Sequence, residues 1–314
     1  MIALIVGGKD TATRQAFLEE CPDALVLDAD PNGPSKEVIE RLTAAKVSRV
    51  IACTPGSTAY ARRCMEAIGL FDAAPFFVGV ASNHGGAVAG AARRLSVDLV
   101  SVDGAHVSAG VYEHRMDWRD GAQRLRHRLS LPPADKACVD ALEFARSSLD
   151  RQGFRNGATC VLIDASPTGL HLADVLTAPA VPAAPADAAF AAFGHSHQHL
   201  YAESVLRPRE FERRSARPLV PGATTLAIAP LWNGKSAAAG GLVGLRLLRR
   251  LTGFHCVSAI DSAQAGIGPV AIACFVHADR VSVENSLTIL HEYQDSHAFF
   301  ARDDELIGFA ATAA

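Results

Sequence analysis

The chain has 314 residues, of which 49% are hydrophobic and 20% are charged, and its formal net charge is −3. At roughly 100–200 residues per domain, this length predicts one large domain or two fused halves with a sizeable core. The apolar content excludes intrinsic disorder. The balance of 30 basic against 33 acidic residues excludes a nucleic-acid binder that works by bulk charge.

The sequence also indicates where the protein resides. It contains no uninterrupted apolar run of about 18 residues, which a membrane-spanning helix needs. Its first residues, MIALIVGGKD, lack the basic and long apolar regions of a secretory signal. The seven cysteines are scattered and include no CxxC pair, a pattern typical of a reducing compartment. We therefore expect a cytoplasmic protein that has no membrane or nucleic-acid partner.

The first hundred residues alternate short apolar runs with amphipathic stretches. The apolar runs are bounded by Gly, Pro or Asp, as buried strands are, and cover 1–7, 24–27, 49–53, 76–81 and 98–102. Between them, apolar residues at helical spacing predict helices over 35–45, 58–68 and 86–95. This alternation predicts a largely parallel sheet with helices on its faces.

A second series of elements follows a break near Pro132 and Pro133. The patterns predict a helix over 137–151 and another over 236–251, with strands at 158–163, 223–230, 254–260 and 269–276. We expect two α/β halves of similar size, 1–130 and 131–278. Residues 279–314 read as a strand–helix–strand appendage.

A candidate catalytic turn follows the predicted fourth strand. Asn83 and His84 precede two glycines that open a predicted helix. Such an elbow exposes one side chain at the carboxyl edge of a sheet, near the positive end of a helix. The alternative is that the glycines only permit close packing between strand and helix.

The run VASNHGGAVAGAARRL and the apolar stretch after it resemble the nucleophile region of β-ketoacyl synthases and their thiolase-fold relatives. Four other stretches are similar to that family in their order of elements: 35–70, 136–175, 230–251 and 263–275. The resemblance implies a thiolase-like fold of duplicated α/β halves, with mixed sheets flanked by helices. It also implies a protein that acts on or shapes acyl or β-keto thioesters in a fatty-acid or polyketide-type pathway.

The chain departs from that family at the reacting groups. The position of the family's catalytic cysteine falls on His84 or Asn83, neither of which is acylated as a thiolate is. Asn233 matches the catalytic asparagine, with Gly234 an equal candidate, and 164–166 (Asp-Ala-Ser) stands where the family has a histidine. The resemblance then implies a non-elongating partner subunit or a cysteine-less acyltransferase.

In the catalytic version, His84 acts as general base and Asn233 donates a hydrogen bond to a developing oxyanion. The resemblance implies an acyl-carrier protein or acyl-coenzyme A as partner. It also implies a homodimer, or a heterodimer with a condensing-enzyme subunit, and no cofactor.

A histidine-rich stretch offers an alternative, a metal-dependent hydrolase that uses zinc or another borderline divalent ion. In an extended conformation, His195, His197 and His199 lie on one face because side chains alternate. Three imidazoles near a carboxylate suit zinc, and an open coordination position activates water. The other interpretation is a polar loop with no ligand.

A third hypothesis is nucleotide binding through Gly234, Lys235 and Ser236. These residues end a loose phosphate-binding loop, APLWNGKS, which follows a predicted strand and opens a predicted helix. Pro230 and the bulky Trp232 stand where a phosphate nest favours small residues, and no dinucleotide fingerprint follows the first strand.

Overall fold

The fold is described from a computed structural model. It describes residues 1–6, 11–30, 32–52, 58–69, 93–119, 122–176, 184–215, 224–232, 245–259 and 269–295. Asn83, His84, Asn233 and 234–236 lie outside these ranges. No helix among the described residues combines the length and the apolar character that crossing a bilayer requires.

The described elements occur in the following order along the chain: β1 (Ile2–Val6), α1 (Thr11–Glu20), β2 (Leu25–Asp28), α2 (Lys36–Ala44), β3 (Arg49–Ala52), α3 (Thr58–Ala67), β4 (Arg93–Val102), β5 (Ala105–Arg119), β6 (Ala122–Ser130), α4 (Lys136–Arg151), β7 (Gly157–Ser166), β8 (Gly169–Leu176), α5 (Ala186–Phe193), α6 (His197–Leu206), α7 (Pro208–Ser215), β9 (Thr225–Trp232), α8 (Leu245–Leu248), β10 (Phe254–Ala259), β11 (Pro269–His277) and α9 (Arg280–Asp295).

The chain divides into two compact units, each discontinuous in sequence. Unit 1 comprises Met1–Val111, Pro133–Val181 and His195–Val220, and unit 2 comprises Tyr112–Pro132, Pro182–Gly194 and Pro221–Ala314. The boundary at Val111 and Tyr112 falls inside β5, so the two units do not follow the division at 130/131 that the sequence suggests.

Unit 1 begins with a parallel sheet of order β2-β1-β3, as the apolar runs predict. Its central strand, β1, is buried on both faces: Leu4 packs in one apolar cluster and Ala3 and Ile5 in another. Burial on both faces explains why β1 is uniformly apolar rather than alternating.

The other strands of unit 1 are antiparallel, in the order β5-β4-β7-β8. Asp103 and Gly104, with φ of 50° and 88°, form the two-residue turn between β4 and β5. Positive φ at both turn residues matches the right-handed twist of the strands. Helix α6 is buried from His197 to Val205 and packs on α1, β4 and β7.

Unit 2 has an antiparallel arrangement of order β10-β11-β9-β6-β5, to which β5 contributes Tyr112–Arg119. Alternate residues of β9 enter two different clusters. Leu226 and Ile228 pack with α5, whereas Ala227 and Ala229 pack with α9. Helices therefore cover both faces of β9, which accounts for its apolar sequence.

The structure corrects several expectations about the fold. The mixed α/β class is confirmed, but only the β1–β3 sheet is parallel among the described pairings. The strand orders of the two units differ, so the thiolase-like duplication is not confirmed. The predicted helix over 86–95 is wrong at its end, because 93–95 begin β4.

Candidate functional site

The predicted histidine cluster is placed on a helix rather than in an extended segment. Ser196 is the N-cap of α6, with its hydroxyl oxygen 3.1 Å from the backbone nitrogen of His199. The helical turn removes the alternation that would place His195, His197 and His199 on one face. The premise of the zinc hypothesis for these residues is therefore wrong.

The rings of His197 and His199 instead hold α6 in the core of unit 1. His197 Nε2 lies 2.9 Å from the carbonyl oxygen of Leu99, on β4. His199 contacts the Ser196 hydroxyl through Nδ1, at 2.8 Å, and Glu19 Oε2 through Nε2, at 2.6 Å. Hydrogen bonds from Gln15 and then from His199 lower the pKa of Glu19, so its carboxylate stays charged against the imidazole.

A serine, a histidine and an aspartate are aligned elsewhere in unit 1. Ser101 Oγ lies 2.6 Å from His106 Nδ1, and His106 Nε2 lies 3.2 Å from Asp150 Oδ1. This order of contacts is that of an activated serine nucleophile. The solvent exposure of these residues does not suit a nucleophile and its supporting carboxylate. Ser101 is 1% exposed, whereas the Asp150 side chain is 65% exposed. We interpret the three residues as a structural link between the β4–β5 hairpin and α4.

A depression in unit 2 is the stronger candidate for a binding site. It is shallow and open to solvent, with an enclosed volume of about 10 Å³, roughly the size of one water molecule. Strands β5, β6 and β9 and helix α9 supply its lining: Asp117, Arg124, Leu125, Arg126, Trp232, His291 and Gln294. The pairing of β5 with β6 shifts between Arg115 and Met116, where β6 carries Arg126 as an extra residue. Such a bulge redirects side chains, so three consecutive residues border one depression.

Two guanidinium groups and an indole dominate this depression. Arg124 lies over the ring of Trp232, 5.3 Å from its centroid, and the indole nitrogen donates to the carbonyl of Leu125. Arg126 contacts Asp117 at 3.1 Å and Asp295 at 3.5 Å. Each guanidinium has five donors in a planar fork, an arrangement that suits phosphate and carboxylate groups.

Helix α9 closes the depression with buried polar side chains. His291 stacks on His127, with 5.2 Å between ring centroids. Gln294 is 5% exposed, and its Oε1 has no hydrogen-bond partner among the residues that the structure describes. Because buried polar groups are normally satisfied, this carbonyl oxygen is a candidate acceptor for a ligand of the depression. Together with the arginines and the indole, it suits an anionic ligand that has an aromatic part.

Comparisons with known proteins identify the fold. No protein-family model matches the chain, and no curated protein matches it by sequence. Solved structures are similar, however. An L-amino acid ligase from Bacillus licheniformis has a TM-score of 0.65 and 10% identity, over 93% of this chain and 97% of that one.

Two other neighbours are similar to nearly the same extent. The N5-carboxyaminoimidazole synthase from Aspergillus clavatus, in complex with ADP and 5-aminoimidazole ribonucleotide, has a TM-score of 0.59 at 10% identity, over 94% of this chain and 98% of that one. N5-carboxyaminoimidazole ribonucleotide synthetase from Thermus thermophilus has a TM-score of 0.58 at 15% sequence identity, over 93% of this chain and 98% of that one. At 10–15% identity, the likeness to these neighbours is one of fold alone.

The comparisons overturn the family suggested by the sequence. The neighbours are ligases and synthetases, so the resemblance to β-ketoacyl synthases, the thioester-related function and the acyltransferase activity are wrong. Small residues and glycines between a strand and a helix suit any tightly packed α/β turn, and such a pattern is not specific to one family. The predicted catalytic residues Asn83, His84 and Asn233 are not placed by the described residues.

Proposed function

We propose that this protein is an ATP-dependent ligase that joins a small-molecule carboxylate to an amine. The observation that carries the proposal is the likeness to an L-amino acid ligase over more than nine-tenths of both chains. Other neighbours of the same fold are described as complexes with ADP or with ATP. ADP as the product nucleotide implies transfer of the terminal phosphoryl group, so the expected products are an amide, ADP and phosphate.

We place the nucleotide against the open surface of the unit 2 depression because the groups there suit the parts of ATP. The guanidinium groups of Arg124 and Arg126 suit phosphate oxygens. The indole of Trp232 offers an apolar surface to a purine, and the unpaired Gln294 oxygen accepts a hydrogen bond from an exocyclic amine. Lys235 follows Trp232 by three residues in the chain, and its predicted phosphate contact stays a prediction.

A magnesium ion bound to the phosphates of the nucleotide is compatible with the residues of the unit 2 depression. The cation usually keeps several waters and is held by phosphates and one or two carboxylates. Asp117 is the carboxylate among the residues that line the depression, so it is the side chain expected to hold the ion. Magnesium supplies charge neutralisation of the phosphates when bound.

The proposed setting is the cytoplasm. The six cysteines that the structure describes are all free thiols, including the buried Cys64, Cys138, Cys160 and Cys274. Free thiols and use of ATP are both typical of that reducing compartment.

Nucleotide binding is tested by calorimetric titration of the purified protein with ATP and magnesium. The wild type binds, and ATP raises its melting temperature because a ligand of the folded state stabilises it. Arg124→Met removes charge-assisted hydrogen bonds and weakens binding by about tenfold or more. Arg62→Met, which neutralises an exposed arginine on α3, is the matched control and leaves the affinity unchanged.

Ligation is tested separately, by following ADP release with pairs of amino acids as carboxylate and amine. The expected result is ADP formation that requires both substrates, with a product whose mass is their sum less one water. Absence of ATP binding by the wild type contradicts the proposal. Equal ATP affinity in the wild type and Arg124→Met contradicts the location of the nucleotide.

A further inference from the structure

A second group of polar side chains lies in unit 2, outside the depression. Asp187, His255 and Cys256 each offer one ligand-type atom, and these atoms lie within 4.8 Å of one another. Asp187 belongs to the first turn of α5, and the other two residues to β10. This is the one such trio of His, Cys, Asp or Glu residues in the described part of the chain.

A β-bulge explains how two neighbouring residues of one strand serve the same site. In a regular strand, His255 and Cys256 would point to opposite faces. The pairing of β10 with β11 shifts here: Phe254 faces Phe275, whereas Cys256 faces Cys274. His255 is therefore the extra residue, and a bulge of this kind turns adjacent side chains toward one side.

The distance between His255 and Asp187 suits two ligands of one cation better than a direct hydrogen bond. His255 Nε2 lies 3.6 Å from Asp187 Oδ2, and Cys256 Sγ lies 3.9 Å from Asp187 Oδ1. Good N–H···O hydrogen bonds are about 2.7–3.2 Å long. Ligands bonded to zinc at about 2.0–2.3 Å with tetrahedral angles are roughly 3.3–3.8 Å apart. The His255–Asp187 distance falls within this range and the Cys256–Asp187 distance lies just above it, so a small movement of the exposed Asp187 carboxylate brings these atoms to the spacing of ligands around one ion.

We propose that Asp187, His255 and Cys256 form a zinc site. One thiolate, one imidazole and one carboxylate are the ligand types that zinc accepts, whereas magnesium and calcium require oxygen ligands. The Asp187 side chain is 63% exposed and that of His255 is 32% exposed. The ion therefore has access from solvent, and its fourth position is available to water or to a small ligand.

The buried Cys274 is paired with Cys256 across β10 and β11. A neighbouring group of this kind orients a metal-bound thiolate without being a ligand itself.

Cobalt(II) reports on this site directly, because a thiolate ligand gives it an ultraviolet charge-transfer band. We expect one cobalt ion per chain in the reduced, metal-free protein without a histidine tag, and displacement of that ion by zinc. Cys256→Ser abolishes the band. Cys21→Ser, which removes a cysteine of similar exposure in unit 1, leaves the band unchanged and serves as the control.

Asp187→Asn supplies a second test. Because Asp187 is exposed, this substitution leaves the packing of the buried core unchanged. We expect it to weaken zinc by more than about tenfold in competition with a chromogenic chelator, while the melting temperature of the metal-free protein stays the same. A cobalt band that persists in Cys256→Ser overturns the proposal. Equal zinc affinity in the wild type and Asp187→Asn also overturns it.

Discussion

The imidazoles of His127 and His291 stack at an interplanar angle of 19°, with Nδ1 of His127 3.0 Å from Nε2 of His291. At least one ring must be neutral to accept the hydrogen bond between them. Burial, and then the positive charges of Arg115 and Arg126, lower the pKa of His127 from 6.5 to about 4. His127 is therefore held neutral at physiological pH by its surroundings.

This neutrality predicts a dependence of stability on pH. The unfolded chain protonates His127 near its ordinary pKa of 6.5, whereas the folded protein resists protonation until about 4. The unfolded state binds more protons in that window, so the free energy of unfolding falls as the pH falls. The loss attributable to His127 is at most about 3 kcal/mol.

Urea unfolding at several pH values measures this effect. His127→Gln flattens the dependence between about pH 6.5 and about pH 4, whereas His277→Gln removes an imidazole from the same unit and preserves it. An identical slope in the wild type and His127→Gln would show that the pair does not titrate as its environment predicts.

An ion pair across β4 and β7 predicts a large loss of stability. Arg94 and Asp164 are directly opposite each other, with Nε and Nη2 of the arginine at 2.8 and 3.2 Å from the two carboxylate oxygens. The Asp164 side chain is 1% exposed. Arg94→Met takes this cation away from a buried carboxylate, at a cost of about 3 kcal/mol in the free energy of unfolding.

Lys136→Met is the matched control for Arg94→Met. Lys136 pairs with Asp140 one helical turn away, and both side chains are exposed to a large extent, at 85% and 43%. Its removal costs about 0.5 kcal/mol or less. Chemical denaturation compares the two variants, and similar losses would contradict a special role for the buried carboxylate.

Gly153 and Gly253 have similar backbone angles, but we expect an added methyl group to lower the free energy of unfolding by different amounts at the two positions. Gly153 has φ of 67° and Gly253 has φ of 76°. A Cβ at Gly153 would meet nothing within 4 Å, whereas at Gly253 it would lie 3.0 Å from His277 Cβ and 3.3 Å from the Val276 carbonyl oxygen. Alanine at either position strains the backbone by about 1–2 kcal/mol.

The added contact makes Gly253→Ala the more costly change. Its neighbours are a strand backbone and a Cβ, which have little freedom to move, and the amide of Val276 donates to the carbonyl of Gly253 at 2.7 Å. We expect Gly253→Ala to destabilise by about 1–2 kcal/mol more than Gly153→Ala, from backbone shifts around the crowded methyl. Thermal unfolding compares them, and equal melting temperatures would contradict the contact.

The sequence predicts the elements that are buried on both faces better than those buried on one. Continuous apolar runs locate β1, β3, β9 and β11 to within about two residues, because burial on both faces excludes polar side chains. The pattern does not predict strands β5 and β6, because their sequences mix apolar and charged residues. The Asp103-Gly104 dipeptide, which forms the turn before β5, is the hairpin signal in this part of the sequence.

The binding residues could not be predicted because they come from distant parts of the chain. His127 and His291 are separated by 164 positions, and Trp232 contacts a carbonyl 107 positions away. Periodicity reports which face of an element is buried, but not which elements become neighbours. The error at His195–His199 has a different cause. Serine is a favourable N-cap residue, so Ser196 indicates that a helix begins at His197, whereas the prediction assumed an extended segment.

The Ser101–His106–Asp150 alignment gives the last prediction, which separates a structural role from a catalytic one. A fluorophosphonate reagent modifies activated serines, but Ser101 is 1% exposed and lies on a paired strand. We expect no added mass on the folded protein.

Ser101→Ala removes the 2.6 Å contact to the ring of His106 and costs about 1–2 kcal/mol in unfolding free energy. Asp150→Asn, at an exposed position, costs about 0.5 kcal/mol or less. Labelling of the wild type that disappears in Ser101→Ala would instead identify a nucleophile, and the link between hairpin and helix would then be an active site.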